Sequence, residues 1–270
     1  MPNPLPKTAQ TSAQAPSEND ASIAISDPGE RRREEHYGID RFVIRVGNAV
    51  AWIFPILMFA IVSQVVMRKM GNNQAWLDDG QWWLYGFAMV AGFAYAITTD
   101  SHVRVDIFHQ NFSESKKARL EIFAIGWLLL PFIAMMVDIM AQYAWASWTA
   151  REGSDSPNGL HRLYLLKISL PVLLAVAVLA AWSMIRRNLH KFTEATTLKC
   201  ILGAFPFCWF VMDRLVFHSF YWFTRITNPD IKPRRIAKEP LMEHTTVTAF
   251  ILLLLLIVGL WLFGRTRRAS

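Results

Sequence analysis

The chain has 270 residues, 53% of them hydrophobic, and a formal charge of +7. Its apolar residues gather into runs too long and too free of charge for a soluble core, which makes the bilayer its main solvent. Lys and Arg flank those runs, a pattern of membrane orientation that argues against a nucleic-acid-binding face, and two isolated cysteines, Cys200 and Cys208, are too few for a disulfide framework or metal knuckle.

Residues 1–40 read as a polar leader, rich in Pro, Ser and Ala at its start, without the apolar stretch of a signal peptide. The leader is expected to be disordered and cytoplasmic. Arg31, Arg32 and Arg33, followed by Arg41 and Arg45, are expected to hold the N-terminus inside.

A hydrocarbon layer of roughly 30 Å takes about 20 helical residues to cross. Residues 46–67, 82–99, 119–148 and 163–185 satisfy that length, and 246–263, with unbroken leucines from 252 to 256, does so almost as well. An unpaired backbone amide in lipid costs several kcal/mol, so these runs must be helices. The fold class is therefore all-α, a polytopic transmembrane bundle. Four core spans fill 41–190, a cytoplasmic or interfacial aromatic and basic segment fills 191–245, and one further span with its tail fills 246–270.

With the N-terminus inside, the loop carrying Arg104, Lys116 and Lys117 falls inside, as do Arg186, Arg187 and Lys191. Residues 198–226 admit two readings. A crossing would put Arg225, Lys232, Arg234, Arg235 and Lys238 outside, against the charge rule. An interfacial segment with its rings at headgroup level avoids this and is preferred, with the last helix running from inside to outside. The basic tail Arg265, Arg267 and Arg268 dissents.

Several residues stand out chemically. Ala88, Gly92 and Ala96 recur at i+4 and suggest a face for close helix approach, or simply small-residue content. Asp100-Ser101-His102-Val103-Arg104-Val105-Asp106 follows the second span. There Arg104 and Asp106 suit either a clamp on a partner or an ion pair in a tight turn. Asp138 lies inside the third span with Gln142 one turn on. It suggests an ion path, a pairing with a cation such as Lys167, or a tilted helix reaching water. No histidine lies mid-span, so haem is not expected, and no other cofactor or metal site is read. Pro55 and Pro171 bend helices without marking a site, and neither interrupted helix pairs nor enzyme motifs occur.

Over roughly residues 42–187 the chain resembles the small membrane subunit of tripartite ATP-independent periplasmic (TRAP) transporters, the DctQ-like proteins. His102-Val103-Arg104-Val105-Asp106 is similar to that family's H-x-R-V-D stretch after helix two. Trp76-Leu77-Asp78-Asp79-Gly80-Gln81-Trp82 resembles its acidic motif, with Asp79 where Glu is usual. Ser154-Asp155-Ser156-Pro157-Asn158-Gly159-Leu160, with Lys167 and Pro171, resembles its outer loop and the start of helix four.

The resemblance implies a non-catalytic scaffold subunit of a sodium-coupled importer of an organic anion in a bacterial inner membrane. Its partners would be a large permease subunit, which holds sodium and substrate, and a periplasmic binding protein. Everything after Lys191 exceeds the family's four-helix plan. A membrane anchor for a redox or other enzyme is the alternative that the residues alone leave open.

Overall fold

The computed structural model describes residues 29, 33–101, 112–236 and 238–269, and every element among them is helical. Helix α1 is Gly38–Lys69, α2 is Ala75–Thr99, α3 is Glu114–Ala150, and α4 is Tyr164–His190. Two further pieces, α5 (Thr197–Gly203) and α6 (Phe205–Thr227), meet at a 94° bend, and α7 is Thr245–Ala269.

Four helices are both long and apolar enough to cross a membrane: α1, α3, α4 and Thr245–Thr266 of α7. The bent α5–α6 pair would make a fifth. Helix α2 has the length, at 25 residues, but its paired Trp82 and Trp83, its Tyr residues and its glycines leave it less apolar than those four. Trp and Tyr favour the membrane–water interface, and α2 carries them near both of its ends.

Proline explains two local departures from regular helix. Pro55 has no amide to give to the Ala51 carbonyl, and α1 breaks one residue later, at Trp52. Pro131 likewise cannot bond back to residue 127, and α3 widens into a π-helical turn over Ala124–Leu129 immediately before it.

The first four helices form the core bundle, with α4 packed most extensively on α2 and α3. Its alanines Ala177, Ala180 and Ala181 are wholly buried and admit Leu130, Ile133, Ala94 and Ile97 at close range. Lipid offers no hydrophobic drive between helices, so such small-residue contact is what dispersion needs to hold them together. On α2 the inward residues are Ala88, Ala91, Ala94 and Ile97. The expected face of Ala88, Gly92 and Ala96 does not pack as one: Ala88 is buried, Ala96 is half-buried and Gly92 is exposed. Successive i+4 steps drift about 40° around a helix, which carries the stripe off the contact line.

The C-terminal extension lies along this core. The α5–α6 bend rests on Gly126 in the π-helical turn of α3, where a side chain would strike the Gly203 carbonyl. From there α6 runs in the same direction as α3, with Phe207 against Trp182 and Arg214 against Asp138. Helix α7 returns: Thr246 meets Asp213, Phe250 meets Trp209 at 5.5 Å and Phe205 at 6.2 Å, and residues 260–265 reach residues 195–199. Residues 205–227 thus pack lengthwise on a bundle helix, whereas an interfacial segment would lie across its end. The last turns of α7 stand beside α5, which follows directly on the end of α4, opposite to the direction expected from charge counting.

Candidate functional site

Three polar clusters brace the bundle, one at each end and one midway. The first gathers where α2 and α4 begin. Asp79 sits in the first turns of α2 and accepts a hydrogen bond of 3.0 Å from the Leu160 amide. Gly159 allows this approach, because a Cβ there would stand 2.7 Å from the Asp79 carboxylate and closer still to Ser154. The acidic motif and the Ser/Pro/Gly loop, read separately in the sequence, therefore meet. Neighbouring Asp78 pairs with Arg68 at 3.3 Å, an exposed contact of small energetic weight.

Lys167, buried in the first turn and a half of α4, pairs with Glu152 at 2.5 Å and stands 4.2 Å over the Tyr143 ring. That ammonium holds the Glu152 carboxyl below the usual carboxylate range. Lys167 is thus not the counter-ion of Asp138, which lies twelve residues before the end of α3, too deep in the bundle for a cation at the start of α4.

Midway, Asp138 faces Arg214 of α6 at 3.8 Å and accepts a hydrogen bond from Gln142 at 3.3 Å. Arg214 also binds Asp213 at 2.6 Å, and Asp213 accepts a further bond from the Thr246 hydroxyl at 3.0 Å. One guanidinium thus bridges two carboxylates, drawing α3, α6 and α7 together where charge is costly.

The second end is built on Arg187 near the end of α4. Its guanidinium donates to the Thr98 carbonyl at 2.7 Å and lies 4.0 Å from Asp40, which is fully buried in the first turn of α1. Asp40 also accepts from the Tyr37 amide at 2.9 Å, and Asn188 donates to Glu121 at 2.8 Å. One residue thus ties α1 and α2 to α4. Beside it lies a small polar cavity of about 170 Å³ lined by His36, Thr98, Arg187 and Asn188. The His36 ring is buried, its Nδ1 has no partner among the described residues, and burial together with Arg187 pulls its pKa below the ordinary value.

His102, Arg104 and Asp106 lie outside the described residues. Gly92 is exposed, with no heavy atom within 4 Å of where its Cβ would stand. Sequence reading missed Asp40, Glu152, Arg187 and Arg214. The available signal was a charge falling in or beside an apolar run, which Asp138 gave and these four gave as well.

A family model described as tripartite ATP-independent periplasmic transporters, DctQ component, matches residues 57–191, which is half of the chain. The match includes the Asp79, Asp138 and Lys167 positions and stops before α5. No curated protein and no solved structure matched the chain.

Proposed function

The chain belongs to the DctQ family of tripartite ATP-independent periplasmic transporter components, and on that premise we propose that it is the fixed scaffold subunit of a sodium-coupled importer of an organic anion. A larger permease subunit holds the sodium and substrate sites, and a periplasmic binding protein delivers the anion. The Asp79 end faces the periplasm and the Arg187 end faces the cytoplasm of a bacterial inner membrane.

The observation that carries the scaffold reading is the use made of charge. Asp138, the intramembrane acid best suited to a coupling role, is committed to Arg214, and Lys167 is committed to Glu152. Residues so paired hold helices in register, which suits a subunit against which another moves. The open face of α2 around Gly92, with exposed Tyr85, Met89 and Phe93 beside it, offers the large subunit a surface of close approach. Arg104 and Asp106, in the segment that follows α2, contribute to assembly on the cytoplasmic side.

Co-expression with the large permease subunit and the binding protein tests this. The tagged chain should recover the large subunit, and anion uptake should need both the chain and a sodium gradient. Replacement of Gly92 by Leu, or of Arg104 by Ala, should reduce recovery and uptake together. Uptake that persists without the chain would refute the scaffold role.

A further inference from the structure

We propose that the cleft between α5 and the last turns of α7 is a binding site for the headgroup of an anionic phospholipid. The cleft has a volume of about 680 Å³; Thr196 and Lys199 line one wall, and Leu260, Trp261, Phe263 and Arg265 the other. None of its described lining residues is acidic.

Its position along α7 sets the ligand. Helix α7 exposes Leu252, Leu254, Leu255, Leu256, Leu262 and Phe263, then reaches its first cation at Arg265. The cleft therefore lies where an apolar helix leaves the hydrocarbon for the headgroup layer, the depth at which a phosphate and the first carbons of its acyl chains are found. Trp261 marks the same boundary, with the Arg265 guanidinium 5.6 Å from its ring.

The chemistry of the walls fits both halves of such a lipid. Lys199 gives one N–H to the Thr193 hydroxyl and keeps two for a phosphate. Arg265 brings a fork suited to phosphate oxygens, and the Thr196 hydroxyl adds a neutral donor. Leu260 and Phe263 supply apolar surface on the midplane side, which a small soluble anion would leave unused. A zwitterionic lipid would set its own cation beside two others.

All these residues lie beyond the stretch matched by the family model, so the site belongs to the C-terminal extension. Bound lipid would tie α5 to α7 at the Arg187 end, where the two helices meet across an open cleft. The inference does not depend on the transport reading.

Native mass spectrometry of the full chain, released from micelles holding phosphatidylglycerol and phosphatidylcholine in equal amounts, tests it. Phosphatidylglycerol should be retained preferentially. Lys199→Gln and Arg265→Gln should each lower that retention about fivefold, the effect of losing one interfacial cation. The same charge removed at Arg235 and Lys238 should change nothing. Equal retention of the two lipids by the unaltered chain, or undiminished phosphatidylglycerol on the double variant, would overturn the site. Should the double variant aggregate, the unaltered chain decides alone: high salt must release phosphatidylglycerol selectively, and salt-insensitive retention counts against the proposal.

Discussion

Asp79 at the start of α2 takes the backbone amide of Leu160, 81 residues along the chain, at 3.0 Å, and so fixes the connection between α3 and α4. A single carboxylate there ties the far end of the loop to α2, while the Glu152–Lys167 pair holds its start to α4. Asp79→Ala should leave the Leu160 amide without its partner, at a cost of about 1 to 3 kcal/mol. Hydrogen exchange at Leu160 and proteolysis within residues 151–162 should both accelerate. Gly159→Ala should act in the same way, because its methyl would meet Ser154 and Asp79. Asp79→Glu should only partly restore the loop, since the added methylene pushes the carboxylate into space that Gly159 and Ser154 already occupy.

The close contact of Gly126 with Gly203 makes a second prediction. Gly126→Val adds a side chain where the Gly203 carbonyl lies, and must displace the α5–α6 bend. Overpacking of this kind costs about 1 to 3 kcal/mol. Buried Cys200 lies one turn before the bend and reports on it. In a Cys208→Ser background, maleimide should label Cys200 slowly in the parent and markedly faster once Gly126 is replaced.

How far the sequence spoke for this structure differs by element. Helices α1, α3, α4 and α7 were legible because hydropathy and length suffice to define them in lipid, and the DctQ-like motifs were legible because they are local. That Asp79 and Leu160 touch was not, since each motif carries its own half of the contact. Gly126 and Gly203 look like ordinary small residues, and only the bend pressed into a π-helical turn gives them meaning. The lengthwise packing of residues 205–227 was not legible, because counting Arg225, Lys232, Arg235 and Lys238 says nothing of the packing of Phe207 on Trp182 or of Arg214 on Asp138.

His36 sets a pH dependence at the Arg187 end. Its pKa is lowered by burial and by Arg187, against the opposing pull of Asp40 and Glu35, with Arg41 adding to the lowering. The neutral ring is therefore the form that packs. Its contribution is complete above the ordinary histidine value near 6.5 and is lost as pH falls through the lowered value. Below that point the segment before α1 should detach and become protease-sensitive, while α1 to α4 stay folded. His36→Gln should abolish this acid step; a step that survives the substitution would assign it elsewhere.

Arg214 is the residue on which the attachment of the extension turns. Its removal leaves half-buried Asp138 and buried Asp213 without their shared cation, and loss of one partner from a fully buried pair costs about 3 to 5 kcal/mol, an upper bound for this partly exposed one. Arg214→Ala should therefore lower thermal stability in detergent more than Asp138→Asn does. Adding Asp138→Asn to Arg214→Ala should recover part of the loss, because one uncompensated charge is removed. The same pairing predicts topology. Helix α6 follows α3 and α7 turns back, so reporters placed after Lys191 and after Ser270 should lie on one side of the membrane, and one placed after Lys232 on the other. Arg214 then holds a loop rich in Arg and Lys on the side that the charge rule disfavours. In the Arg214→Ala variant that loop should revert in part, and the reporter after Lys232 should give a mixed signal.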